Sequence, residues 1–193
     1  MLAEAGWQDR NGDGVLEDAS GRPFSFTILT NQGNDARIKA ATIIQSELAA
    51  IGIKVAIRTV EWASFIKEFV DKRNFDALIL GWTITQDPDV YDVWHSSKAV
   101  PGGLNFVDYG NPEVDALLDR GRHTVDQTQR KKIYDAFQEI LHREQPYMFL
   151  YAPYSLPILS ARIQNVAAAP AGITYNFTKW WIPRDRQQFR LQP

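Results

Sequence analysis

The apolar positions of this chain change period several times, and each change marks an element. Phe24, Phe26 and Ile28 alternate with Ser25 and Thr27, so a strand is expected over residues 24–30. Asn34 or Asp35 then offers a helix cap. Ile38, Ala41, Ile44, Leu48 and Ile51 follow on one helical face until Gly52 ends it. Ile53, Val55 and Ile57 alternate with Lys54 and Arg58, which gives a second strand with one wet face. Trp62, Phe65 and Phe69 mark a second helix. Ala77, Leu78, Ile79 and Leu80 form a nearly unbroken apolar run, the pattern of a strand buried on both faces, expected over residues 75–80. This strand-helix-strand-helix-strand order predicts an α/β fold with a parallel core, right-handed crossovers and helices on the sheet's faces.

The second half is more helical. A short helix is expected over residues 88–95 with Pro88 at its first position, and another from Asn111 and Pro112 through Leu117 and Leu118. Asp126 with Gln129 makes a capping box for a long helix to about Glu144, burying Ile133, Phe137, Ile140 and Leu141. Pro146 stops it. Residues 147–151 and 156–163 read as two further strands, expected to join the sheet antiparallel and make it mixed. Residues 167–172 are rich in Ala, Pro and Gly and read as a linker. Tyr175, Phe177, Trp180 and Trp181 then weight a tail without a clear period. Such a tail either meets a partner surface or folds back on its own sheet. At the other end, Leu2 to Gly6 look like the last turn of a helix with a Gly cap, so the chain is expected to be a piece of a longer protein.

Composition narrows the function classes. With 193 residues, 45% of them apolar, the chain suits one domain with a sizeable core. A net charge of −2 gives no reason to expect nucleic acid or an anionic membrane surface. The absence of cysteine excludes disulfides and thiolate metal sites but leaves the redox compartment open. No apolar run approaches a membrane span, and Met1-Leu2-Ala3-Glu4 lacks the basic and apolar regions of a signal peptide. Six tryptophans are more than a core of this size needs, and surplus Trp often stacks on ligands.

Two stretches carry candidate chemistry. The apolar strand over 75–80 ends in Gly81, Trp82, Thr83, Thr85, Gln86, Asp87 and Asp89, with Tyr91 and Trp94 close behind. Ligands of open α/β sheets collect at the carboxyl ends of strands, so Trp82, Thr83, Thr85, Asp87, Tyr91 and Trp94 are candidate ligand-binding residues. The plainer reading is a Trp that packs the top of a core, with Asp87 and Pro88 starting a helix. The second stretch places oxygen ligands at Asp9, Asn11 and Asp13, with Gly14 at the sixth position, the Val15 carbonyl next and Glu17 at the ninth, as in a calcium loop. Position 12 is Ser20, where an EF-hand has a bidentate Glu, and no EF-hand helices flank the loop. It reads equally as a Gly-rich turn into a hairpin with a second bend at residues 18–21. No cofactor is required, and calcium would be structural. His95, His123 and His142 fall in no metal spacing, and neither a nucleophile elbow nor a phosphate loop is present. Asp87 and Asp89 offer a carboxylate pair for acid–base work, although adjacent loop acids are usually solvated or capping.

Several stretches, taken in order, resemble the family-5 solute-binding proteins of ABC importers, the group that binds oligopeptides, dipeptides and nickel. They are Leu2-Ala3-Glu4-Ala5-Gly6-Trp7 before the Asp/Gly loop, Leu48 through Val55, Phe75-Asp76-Ala77 through Gly81-Trp82 with Asp87-Pro88-Asp89, Asn111-Pro112-Glu113-Val114-Asp115, and Pro146-Tyr147-Met148-Phe149-Leu150-Tyr151. The resemblance spans nearly the whole chain. It implies a periplasmic-binding-protein-like lobe: residues 1–165 as the second lobe of a two-lobed receptor, and residues 166–193 as a tail returning to a missing first lobe. It further implies capture of a peptide or similar small solute, delivery to an ABC permease in the inner membrane, and a periplasmic or cell-envelope location. Peptide binders of the family often carry an Asp about three residues after the Gly-Trp pair, to hold the ligand's α-ammonium. Thr85 stands there, or Gln86 on a shifted alignment, so a free amino terminus is not expected to be read in the usual way. The alternatives are a calcium-stabilised binding module outside the cell and a small hydrolase built on Asp87 and Asp89.

Overall fold

The computed structural model describes residues 1–83 and 86–188. Its sheet has three strands, β1 (Ser25–Asn31), β2 (Lys54–Val60) and β3 (Ala77–Leu78), in the order β2-β1-β3. All pairs are parallel: Ser25 lies opposite Lys54 and Asn31 opposite Val60, while Ile28 and Leu29 pair with Ala77 and Leu78. The β3 ladder is shorter than its apolar run, although the Ile79 N–H still bonds the Leu29 carbonyl at 2.9 Å.

Helix α1 (Asp35–Ala49) joins β1 to β2. The Asn34 side chain caps it by accepting the Arg37 N–H, and Ala41 is fully buried against the sheet beside Ile44 and Leu48. Helix α2 (Trp62–Ser64) is capped by Glu61, whose carboxylate accepts the Ala63 and Ser64 N–H groups, and runs on into a π-helical turn, Phe65–Val70. That turn seats Phe65, fully buried, under the sheet with Leu29 and Phe106. After α3 (Tyr91–Trp94), helices α4 (Pro112–His123) and α5 (Gln127–Glu144) pack together around Val114, Leu117, Leu118, Ile133, Phe137, Ile140 and Leu141. Their caps are those the sequence offers: Asn111 accepts from Glu113 and Val114, and Asp126 accepts from Gln129. At the start of the chain, Gly6 has φ +91°, the Trp7 N–H bonds the Leu2 carbonyl, and the Gly6 N–H bonds the Ala3 carbonyl, which is a Schellman closure.

The expectation of two antiparallel strands over residues 147–163 is corrected: none of that stretch is strand, and among the described residues the sheet is purely parallel. The aromatic and branched residues favour extended backbone, but a strand also needs a neighbour to complete its ladder. No described strand pairs here, and Met148, Tyr154, Leu156 and Ile158 are 76–98% exposed. The tail does not join the sheet. It closes on residues 162–167 through the Gln164–Trp181 bridge and through Asn176, which donates to the Asn165 carbonyl and accepts from the Trp180 indole.

Candidate functional site

The carboxyl edge of the parallel sheet gathers Asn31, Val60 and, past β3, Gly81-Trp82-Thr83. Trp82 is 40% exposed there, and Thr83 is exposed beside it. The inner face of the Trp82 ring stacks on Phe106, with centroids 5.9 Å apart and planes 21° from parallel. Phe106 in turn stacks on Tyr147 at 6.2 Å, and Tyr147 packs on Trp94 at 4.4 Å. Trp94 meets the edge of Tyr109 at 5.7 Å. The result is a ladder of aromatic rings whose open end is Trp82 and whose sealed end is Trp94, 5% exposed. Trp94 therefore packs the α3–α5 core and does not line an open face.

Phe106 and Tyr147 support Trp82 from loops without a period, which is why sequence patterning missed them. The Phe106 loop is held by Asn105, fully buried. Its amide donates to the His95 and Tyr109 carbonyls and accepts the Tyr109 N–H at 3.0 Å. A polar side chain with this many backbone bonds is a loop staple. Burial pushes the Tyr147 phenol up to about 12, and the nearby Trp82 indole tempers that rise. Its hydroxyl oxygen still lacks a well-formed hydrogen bond to any described residue.

The acidic residues that follow face the helices. Asp87 forms a two-pronged pair with the Arg130 guanidinium of α5, at 2.6 and 3.1 Å. Asp89 accepts the Arg122 side chain of α4 at 2.8 Å. The two are linked, because Asp87 accepts the Asp89 N–H and Asp89 accepts the Tyr91 N–H. Arg122 also lies 3.9 Å above the Tyr91 ring, whose stacking partner is His95 at 4.2 Å. The Arg130 hydrogen bond, the largest cause, holds the Asp87 carboxyl below the usual Asp range. Each of the two carboxylates is thus committed to a guanidinium and works as an anchor to the helices, not as half of an acid–base pair. Asp87 and Tyr91 thus fix the stretch to α4 and α5, and Trp82 and Thr83 remain on the open edge. Thr85 lies outside the described residues.

In the loop of residues 9–17, carboxylate oxygens of Asp9, Asp13 and Glu17 lie within 4.8 Å of one another. Asp9 accepts the Gly12 and Gly14 N–H groups, and Asp13 accepts that of Val15. Asn11 turns its amide nitrogen toward Asp13 and Glu17 and bridges them at 3.2 and 2.8 Å. In this arrangement Asn11 is a donor between carboxylates and not an oxygen ligand. A hollow of about 480 Å³ between α4 and α5, lined by Leu117, Arg120, Thr124, Gln129, Lys132, Ile133 and Ala136, contains none of the candidate residues.

Comparison with known proteins agrees with this architecture. The family model described as bacterial extracellular solute-binding proteins, family 5 middle, matches residues 1–102. The oligopeptide-binding protein AppA of Bacillus subtilis is 40% identical over 185 residues, 95% of this chain and 34% of AppA. The structure of AppA in complex with a nonapeptide superposes with a TM-score of 0.76 at 38% identity, covering 95% of this chain and 36% of that one. The structure of NikZ from Campylobacter jejuni in complex with Ni(L-His) superposes at 0.69 with 27% identity, covering 93% and 37%. The chain thus spans about a third of the length of these relatives. It belongs to family 5 of the bacterial extracellular solute-binding proteins, a family of binding proteins and not of enzymes.

Proposed function

We propose that this chain is the second α/β lobe of a two-lobed receptor that captures a peptide, or a similar small solute, in the cleft between the lobes. The receptor then delivers its ligand to an ABC permease and works in the periplasm or cell envelope. Residues 1–165 form the lobe, and residues 166–193 return toward the first lobe. The observation that carries the reading is the half-exposed Trp82 ring, backed by buried Phe106 at the carboxyl edge of a parallel sheet. This is where α/β sheets hold ligands, and a flat apolar wall on a rigid support suits a partly apolar one. The nonapeptide complex of AppA supports peptide as the ligand class. The exposed apolar residues Met148, Phe149, Tyr154, Leu156 and Ile158, with Tyr175 and Phe177 in the tail, support a covering lobe, because large apolar side chains gain from burial.

Calorimetric titration of the full-length receptor against a peptide library tests this. Saturable binding at one site is expected. A receptor that binds no peptide in the library contradicts the peptide reading.

The carboxylate cluster at Asp9, Asp13 and Glu17 favours one addition: the loop takes a structural calcium ion. Every candidate ligand atom is oxygen, which suits calcium over a transition metal. Holding it through all the residues named would require the Asn11 amide to turn its oxygen inward, with the Val15 carbonyl completing the set.

A further inference from the structure

The hollow between α4 and α5 is not used by the site at the sheet's edge. Leu117 and Ile133, each 7% exposed, floor it together with Ala136. Thr124 and Gln129 stand at its rim, where α4 ends and α5 begins. The rim is fixed: the Thr124 hydroxyl donates to the Arg120 carbonyl at 2.7 Å, and Asp126 accepts the Gln129 N–H at 2.8 Å. Val125, 93% exposed, projects from the same turn.

The charge of the hollow is of one sign. Arg120 of α4 and Lys132 of α5, both exposed, line it, and no acidic residue does. Neither cation forms an ion pair or a side-chain hydrogen bond with a described residue. Other cations of the same helices are committed: Arg122 holds Asp89, Arg130 holds Asp87 and Lys131 holds Asp135. Two residues along a helix are about 200° apart around its axis. Arg120 is two from Arg122 and Lys132 two from Arg130, so the hollow lies on the other side of the helix pair from Asp87 and Asp89. One solvated surface cation means little. Two of them over an apolar floor, with no acid between, have a defined complement: an apolar side chain flanked by carboxylates. A flat anionic membrane fits less well, because it would also meet Asp126, which caps α5 beside the hollow, and Asp135. A shaped protein segment need meet only the two cations.

We propose that the α4–α5 hollow docks a protein segment of the receptor's ABC permease, one that carries an apolar side chain flanked by acidic residues. This rests on the reading of the chain as part of an importer's receptor, which supplies such a partner.

The probe is the receptor's own permease, reconstituted in nanodiscs, and surface plasmon resonance reads its binding to the full-length receptor with the peptide library present. Wild type is expected to bind permease discs more weakly as salt rises. The double variant Arg120→Glu with Lys132→Glu is expected to raise Kd at least tenfold. Arg120→Gln with Lys132→Gln is expected to raise it about threefold and to flatten the salt dependence, and it reads the same difference if the reversed pair does not fold. Lys131→Glu, outside the hollow, is expected to stay within about twofold of wild type. All variants are expected to bind the peptide library like wild type in calorimetry. An unchanged Kd in both double variants, an equal loss from Lys131→Glu, or a loss of peptide affinity in step with docking overturns the proposal alone. So does equal wild-type binding to empty discs of anionic lipid, which would make the surface a membrane contact. A wild-type receptor that binds neither kind of disc overturns the importer reading and the proposal with it.

Discussion

At the scale of single residues, the first loop shows how much one carboxylate can organise. Asp9 accepts two backbone N–H groups, at 2.7 and 3.0 Å, and so closes the turn through Gly12 and Gly14. Asp18 does the same at the next bend: it accepts from the Ser20 hydroxyl and backbone, from the Arg22 backbone, and from the Arg22 guanidinium. These bonds close the turn without an ion. Calcium would add to them by neutralising three converging carboxylates. The expected outcome is that calcium raises the melting temperature of the receptor and EDTA removes the increment, since a ligand bound only to the folded state stabilises it by mass action. Asp13→Asn should weaken that response. Identical melting curves in calcium and EDTA would make the loop a plain turn.

At the scale of elements, Gly121 of α4 sits directly against Tyr134 of α5. A Cβ there would stand 3.0 Å from Tyr134 Cζ and 3.1 Å from its hydroxyl oxygen. Replacing a helical Gly with Ala gains at most about 1 kcal/mol of helix propensity, and less in the last turn, where Gly121 lies. Overpacking a core that cannot yield costs about 1–3 kcal/mol. Tyr134 is 5% exposed and wedged between the helices, so the second effect should win. Gly121→Ala is expected to lower the denaturant midpoint, and a raised midpoint would show that Tyr134 can shift. The helices were legible in sequence because their caps and apolar faces are local: Asn111, Asp126, Ile133 and Phe137 act where their spacing puts them. The parallel core was legible from the alternation of strand and helix patterns, because a β-α-β order pairs its strands in parallel. Residues 147–163 were not, because strand formation depends on a partner that local pattern cannot report. The site was legible in part. Trp82 and Trp94 look alike in sequence, yet their exposure is decided by Phe106 and Tyr147, far along the chain. Nor can spacing reveal that Asp87 would meet Arg130, 43 residues away.

At the scale of the whole molecule, surface carboxylates set the response to acid. Hydrogen bonds from Ser20 first and Arg22 next hold Asp18 far below its ordinary range, and Lys72, through its hydrogen bond and charge, lowers Glu68. The Ala63 and Ser64 N–H groups lower Glu61, and Arg130 lowers Asp87. A folded-state pKa below the unfolded one gives stability that is present above the unfolded value and lost as pH falls through the folded one. The denaturant midpoint should therefore be flat near neutrality and fall from pH ~5 downward, as the unfolded chain's carboxylates take up protons near 4. Asp87→Asn should shallow that fall. A midpoint that rises on acidification would contradict the assignment of these groups.

The central claim is that the Trp82 edge meets the ligand, and one titration bears on it most directly. In the full-length receptor, Trp82→Ala should weaken binding of a peptide from the library by about 1–3 kcal/mol, roughly 5- to 150-fold in Kd, as for a buried aromatic anchor. It should cost little stability, because the ring is 40% exposed in this chain. A variant that melts like wild type and binds the same peptide as tightly would contradict the account and leave Trp82 as a cap on Phe106.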